Sequence, residues 1–280
     1  MDPRVAANRK GWDSWARVHA QGTGARGFYP IRQLLAGKRG WETRLPDDPG
    51  PLRGKTLLHL QCHIGMDSLA LAKRGARVTG VDYSPEAVRT ARSLSARSGV
   101  PARFVESDVY ALPRRLRGTF DVVFTSYGTI CWLPDLARWA RMIARFLKPG
   151  GYFYIADSHP AIGMLEFDGP GGRPRIARPY FWKRPARYVT TRGTYADTEA
   201  ETGRHVMYEW NHTFEELVGA LVGAGLTIDR LREYPYMFFD LTAWNRKPSM
   251  VRDRRGWWRF KGRDPGVPLM FSLRAVRCSS

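Results

Sequence analysis

Residues Thr56 to Asp108, TLLHLQCHIGMDSLALAKRGARVTGVDYSPEAVRTARSLSARSGVPARFVESD, alternate short apolar runs with helical segments at a spacing that few folds accommodate. Leu57, Leu58 and Leu60 form an apolar run bounded by Gly54 and Gly65, as in a strand buried on both faces of a parallel sheet. The turn Gln61-Cys62-His63-Ile64-Gly65 then opens a helix whose Leu69, Leu71 and Ala72 can face that sheet. Arg77 to Val81 reads as a second strand, and it stops at Asp82. Ser84 and Pro85 supply an N-cap and a first-turn proline for the next helix, with Glu86 in its first turn. A third strand runs into Asp108. This alternation is the order of a doubly wound, nucleotide-binding sheet. A carboxylate where its second strand ends can accept two hydrogen bonds from ribose hydroxyls lying across the strand tips.

Two later stretches extend the pattern: FDVVFTSYG from Phe120 to Gly128, and FLKPGGYFYIADSHP from Phe146 to Pro160. With them, the chain resembles the class I S-adenosylmethionine-dependent methyltransferases over roughly Gly54 to His159. The resemblance implies a Rossmann-like α/β fold, S-adenosyl-L-methionine as cofactor, and methyl transfer as the reaction. It implies a cofactor site made of the turn residues Gln61, Cys62, His63 and Gly65 at the methionine end and Asp82 at the ribose. Tyr83 would flank the adenine, Asp108 and Val109 would read its amino group, and Ser126 and Tyr127 would stand on the turn after the fourth strand. The first motif departs from the family pattern. His59 takes the place of an acid, Gln61 and His63 take the places of two glycines, and Gly65 alone keeps its glycine. The chain is also similar throughout to a bacterial subgroup sharing the LHLQCH turn, TSYG followed by CWLPDL, and a late GWW, whose acceptors are mostly unassigned.

Length and composition fit one domain, residues 1–280, with insertions; 43% hydrophobic and 25% charged residues are ordinary for a globular chain. No long apolar run is present and the polar start MDPRVAANRKGWDSW lacks a secretory core, so a cytoplasmic protein without a membrane partner is expected. Cys62, Cys131 and Cys278 form no paired framework, and His63 has no metal-ligand spacing with another His or Cys pair, so no metal is expected. The net charge of +19 is unusual. It is mostly arginine, dispersed, with denser groups from Arg173 to Arg187 and from Arg252 to Arg259. Such a surface is usually just solvated, and no RNA-binding module is visible, so a nucleic-acid partner is not the first reading.

The remaining chain divides by its elements. Leu133 to Leu147 reads as an amphipathic helix with Pro134 and Asp135 in its first turn, and Phe214 to Val222 as another, N-capped by Thr213. Thr227 to Tyr234 and Leu269 to Val276 read as strands, and the resemblance implies that they pair antiparallel. The division expected is an N-terminal lid segment over residues 1–45 and a cofactor-binding core over 54–160. An inserted cap follows over 161–212, with Arg187 to Tyr195 and His205 to His212 as a candidate hairpin, and then the C-terminal half of the sheet over 213–280. An irregular insertion interrupts that half at 236–268. Long connections at the carboxyl ends of parallel strands carry specificity.

A sulfonium donor suits an aromatic cap, because aromatic faces stabilise a cation and a dry pocket aligns an acceptor for in-line displacement. Trp12, Trp15, Tyr29, Trp132, Tyr208 and Trp210 are the candidates to line an acceptor site. A base is needed only where the acceptor must lose a proton; His159, then His212, then His19 are the candidates, although a lone histidine is more often structural. The expected acceptor is a small molecule with an oxygen or nitrogen nucleophile, a carboxylate being one form the arginines suit and carbon staying open. The alternatives are an RNA methyltransferase, or a cofactor-binding regulatory protein without catalysis, which the altered first motif would suit. Oligomeric state is left open.

Overall fold

A computed structural model of the chain describes residues 2–22, 28–39, 44–167, 174–243, 249–262 and 266–278. Arg173, and parts of the lid segment, the cap and the 236–268 insertion, lie outside the described residues. In chain order, α1 (Pro3–Ala20) and α2 (Ile31–Leu35) precede β1 (Thr56–Leu60), α3 (Met66–Lys73), β2 (Arg77–Asp82), α4 (Pro85–Ser98) and β3 (Arg103–Glu106). A 3-10 turn, Val109–Arg114, leads to β4 (Phe120–Ser126), α5 (Leu136–Phe146) and β5 (Leu147–Ser158). Two small antiparallel pairs follow, β6 (Leu165–Glu166) with β7 (Arg175–Ile176) and β8 (Ala186–Thr190) with β9 (His205–Glu209). The chain ends with α6 (Phe214–Gly223), β10 (Leu226–Tyr234), the pair β11 (Met250–Arg252) and β12 (Trp258–Phe260), and β13 (Met270–Arg277).

The central sheet has seven strands in the order β10-β13-β5-β4-β1-β2-β3. Strands β3, β2, β1, β4 and β5 run parallel, β13 is antiparallel to β5, and β10 is antiparallel to β13. Because the order reverses between β1 and β4, the loops after these strands diverge and leave a crevice at their carboxyl ends, where such sheets bind ligands. Leu57, Leu58 and Leu60 are fully buried, as a strand covered on both faces requires. The face of α5 that carries Leu136, Trp139, Ala140, Ile143 and Phe146 closes one side of the sheet, and truncating Trp139 there would cost about 3–5 kcal/mol.

Local chemistry explains the element ends. The Ser84 hydroxyl accepts the Ala87 N–H with Pro85 in the first turn, and Thr213 and Glu216 form a reciprocal capping box on α6. Some boundaries differ from expectation. Helix α5 begins at Leu136, because Asp135 is the N-cap, accepting the Arg138 N–H at 2.8 Å, and so stands outside the first turn. The 236–268 insertion is more ordered than its composition suggests: β11 pairs with β12, and Met237 and Trp258 exchange backbone hydrogen bonds. Among the described residues no helix is long and apolar enough to cross a membrane.

Helix α1 lies across the strand tips. Its Asn8 amide exchanges two hydrogen bonds with the Tyr208 backbone, at 2.7 and 2.8 Å, imitating a neighbouring strand along β9. Its Asp13 accepts the Ser84 hydroxyl at the start of α4. The lid helix is thereby fastened both to the β8–β9 hairpin and to the sheet domain.

Candidate active site

A cavity of about 1310 Å³ opens over the carboxyl ends of the parallel strands and under the inserted segments. It exceeds the ~300–1,000 Å³ usual for one drug-sized ligand, so it has room for two.

The first-motif turn forms its floor. Gln61 and His63 sit at φ 52° and 49°, the left-handed region, and Gly65 follows at 78°. The turn therefore keeps a glycine-type backbone although two positions carry side chains, at a cost of roughly 1–2 kcal/mol each. Gly65 is required twice over, since a Cβ there would also stand 2.8 Å from the Ala91 Cβ and 2.9 Å from the Phe104 ring. The Gln61 side-chain amide donates to the Thr129 carbonyl at 3.0 Å, while its oxygen is buried without a partner. Cys62 is buried in the core beneath the turn, which pushes its thiol well above the usual range and keeps it protonated. At the position of the family's acid, burial holds His59 down to about 3; its Nδ1 meets the Ser68 hydroxyl at 2.9 Å and its ring packs edge-on to Phe124. A neutral ring therefore stands where the family has a charge.

At the end of β2, Asp82 is buried beside the cavity. Its two carboxylate oxygens accept the Ser84 N–H at 2.9 Å and the His63 N–H at 2.8 Å. Burial raises its pKa to about 6 against the pull of those donors, and nearby Asp13 adds to the rise. One backbone donor per oxygen leaves lone pairs for further donors. Tyr83, next in sequence, lines the cavity with a buried hydroxyl that has no partner. Strand β3 stops two residues short of Asp108, which instead caps the following 3-10 turn by accepting the Tyr110 N–H at 2.8 Å; it and Val109 line the cavity. Ser126 and Tyr127 complete this wall, with the Ser126 hydroxyl donating to Asp67 at 2.8 Å and the Tyr127 ring stacked on Phe238 at 4.5 Å.

Asp157, which the sequence reading passed over, organises the loop after β4. Its Oδ2 accepts from the Thr129 N–H, the Thr129 hydroxyl and the Ile130 N–H, and its Oδ1 from the N–H groups of Gly128 and Ser158. Burial pushes its carboxyl upward against these five donors. The signal was an acid closing the otherwise apolar run YFYIAD, where only a partnered carboxylate is tolerated.

Above this floor the aromatics form a cage. Trp12 packs edge-to-face against Trp15 at 5.1 Å and Trp132 at 5.3 Å, and lies 5.2 Å from the His63 ring. Tyr29 shares a hydroxyl hydrogen bond of 2.5 Å with Tyr195, which the alternating pattern puts at the end of a hairpin strand but which lies beyond β8, ending at Thr190. Trp210 also lines the cavity, its backbone N–H donating to the Cys131 carbonyl at 2.8 Å. Tyr208 does not: side chains alternate along β9, and Glu209 is the one that faces the cavity.

Of the three histidines expected as candidate bases, His159 and His212 line the cavity, and both ring nitrogens of each are hydrogen-bonded within the protein. His159 donates from Nε2 to Glu233 at 2.8 Å and accepts the Ala161 N–H on Nδ1, capping a 3-10 turn; burial lowers its pKa. His212 donates to the Leu133 carbonyl at 2.7 Å and faces Glu216 at 3.3 Å. His19 lies behind the cavity wall, bonded to His63 and Thr194. The carboxylate that faces the cavity from the cap is Glu209, which sequence reasoning missed. The Tyr188 hydroxyl donates to its Oε1 at 2.8 Å, and burial raises its pKa.

Residues 58–155 match a family model described as a methyltransferase domain. The chain is similar to ubiquinone biosynthesis O-methyltransferases, 37% identical over 132 residues to that of Ralstonia nicotianae (47% of this chain, 53% of the relative). It is 36% identical over 117 residues to that of Methylobacterium (40% and 45%). It thus spans about half the length of the curated relatives it matches. In fold it resembles S-adenosylmethionine-dependent methyltransferases from Mesorhizobium loti (TM-score 0.52, 20% identity, 81% of this chain and 93% of that one) and Methanosarcina mazei (TM-score 0.51, 20% identity, 84% and 100%). The match over residues 58–155 falls on β1 to β5 and the first-motif turn, so what the chain shares with these proteins is a methyltransferase-like domain and its sheet.

Proposed function

We propose that the chain transfers a methyl group from S-adenosyl-L-methionine to an oxygen, or secondarily a nitrogen, of a small acceptor held beneath the aromatic cap. The observation that supports this best is the single cavity in which Asp82, Tyr83 and Asp108 meet the cage of Trp12, Trp15, Trp132 and Tyr195. The residues present fit the cofactor. Asp82 would hold the ribose hydroxyls, and the unpartnered groups of Tyr83 and Gln61 would gain partners in the same crevice. The cofactor, when bound, supplies a methyl group on a cationic sulfonium.

The chain's residues then have three tasks. The cage excludes water and presents aromatic faces to positive charge. The Asp157-braced loop fixes the floor on which donor and acceptor are aligned, and orientation is the larger part of catalysis for a displacement of this kind. Glu209 accepts the proton of a hydroxyl or protonated amine, since burial raises its basicity and its Oε2 is not engaged by Tyr188. Arg178, Arg187 and Arg252 line the same cavity and suit an acceptor carrying an anionic group. The O-methyltransferase names of the curated relatives support oxygen as the acceptor atom.

Thermal unfolding with added nucleotides tests this reading. S-Adenosylhomocysteine at a hundred times its Kd stabilises by about 2.7 kcal/mol, while ATP and NAD leave the midpoint unchanged. Equal stabilisation by ATP or NAD, or none by S-adenosylhomocysteine, overturns it.

A further inference from the structure

The segment Arg175 to Arg187, RIARPYFWKRPAR, holds five cations and no acid in thirteen residues. It also holds three of the seven large apolar side chains exposed among the described residues: Ile176 at 73%, Phe181 at 67% and Trp182 at 40%. Exposed aromatics and a basic ring within one short segment are the two components of a surface that partitions into an anionic lipid interface.

The presentation is built. The Asn211 side-chain amide donates to the Tyr180 carbonyl at 2.7 Å, and the Tyr180 hydroxyl accepts the Phe214 N–H at 3.1 Å, which ties the middle of the segment to the start of α6. With Tyr180 turned inward, Phe181 and Trp182 face solvent. Arg175 and Arg178 are partly neutralised by Glu166, and Lys183 by Glu216, through exposed ion pairs that screen readily and exchange at little cost. Arg184 and Arg187 have no acidic partner among the described residues. Among the described residues no RNA-binding module, such as a sheet face of stacking aromatics or a KH loop, frames the segment. Five like charges oppose its pairing with the same patch on a second copy.

We propose that this segment docks the protein on anionic phospholipid bilayers, with Ile176, Phe181 and Trp182 entering the headgroup region and the cations on its polar side. Arg178, Trp182, Pro185 and Arg187 also line the cavity, so docking turns its mouth toward the bilayer. Given the methyltransferase reading, the consequence is an acceptor drawn from the membrane. The docking itself does not depend on that reading.

Co-sedimentation of the full chain with vesicles separates the two. Phosphatidylcholine vesicles containing about one-third phosphatidylglycerol bind it at least ~10-fold more tightly than pure phosphatidylcholine, and salt weakens the difference. The pairs Ile176→Ser with Phe181→Ser, and Lys183→Glu with Arg184→Glu, each lower vesicle binding by about ten-fold while keeping the intact chain's unfolding midpoint and affinity for S-adenosylhomocysteine. Vesicle binding that ignores phosphatidylglycerol, or that survives both pairs unchanged, overturns the proposal. So does binding to a single-stranded RNA, or self-association, that both pairs abolish while vesicles are left unbound.

Discussion

Nδ1 of His19 stands 2.7 Å from Nε2 of His63, joining the lid helix to the first-motif turn through one buried ring and one half-buried ring at the cavity. The hydrogen-bond order follows from Thr194. Its hydroxyl oxygen already accepts the N–H groups of Ala196 and Asp197, so its proton goes to His19 Nε2, and His19 Nδ1–H donates to His63. Both rings are neutral. Burial holds His63 at about 3 and His19 well below its ordinary 6.5, with the neighbouring ring adding to the depression of His19.

Acid should therefore loosen the lid. A histidine depressed on folding contributes stability that is complete above 6.5 and is lost as pH falls toward its folded value, because the unfolded chain binds the extra proton. His59, at about 3, acts in the same sense. Asp82 opposes them: raised from 3.8 to about 6, it favours the folded state below 3.8 and loses that contribution as pH rises through 6. Asp157 and Glu209, raised by burial, oppose in the same sense as Asp82, and His159, lowered by burial, adds to the histidines. Four depressed histidines against three raised carboxylates make the urea midpoint fall between pH 7 and pH 4, and His19→Gln flattens that slope. A midpoint that rises on acidification contradicts this assignment.

Gly65→Ala combines a left-handed φ with contacts of 2.8 and 2.9 Å to Ala91 and Phe104. Left-handed strain and overpacking together should cost about 2–4 kcal/mol, measured by urea unfolding. Gly99→Ala, which has a similar φ but open space around it, isolates the strain alone and costs about 1–2 kcal/mol.

Asp157→Asn keeps the volume but replaces an acceptor with an amide donor opposite backbone N–H groups of the β4 loop. At least one buried donor is left unpaired, so the substitution should cost about 3 kcal/mol. Affinity for S-adenosylhomocysteine should fall with it, because Gln61 is anchored to that loop through Thr129.

The strand tips were legible because two-sided burial leaves a continuous apolar signature, and Asp82 marks itself by following one such run directly before a capped helix. The cage was legible in its tryptophans and in Tyr29. Tyr195 reaches it from an insertion whose course is fixed by hydrogen bonds at Thr194, not by periodicity. For the histidines a sequence shows proximity to a strand end but not occupancy of ring nitrogens, and at His159 and His212 those nitrogens meet Glu233, the Ala161 N–H, the Leu133 carbonyl and Glu216. Glu209 was hidden by its neighbours: in YEW the aromatics draw the eye, yet the two-residue alternation of β9 turns the carboxylate inward.

Glu209→Gln separates proton acceptance from binding. With an acceptor that ionises during transfer, the rate should fall by roughly 100-fold while S-adenosylhomocysteine affinity stays within about two-fold, since neutral glutamine keeps the shape but not the basicity. An acceptor already ionised at the assay pH should be spared, a distinction that a merely structural role for Glu209 would not produce.

Calorimetric titration with S-adenosylhomocysteine, on the intact chain and on Asp82→Ala, tests the central claim most directly. The account predicts micromolar binding that the substitution weakens by at least ten-fold, about 1.4 kcal/mol. No binding by the folded intact chain, or equal binding by the variant, would contradict it.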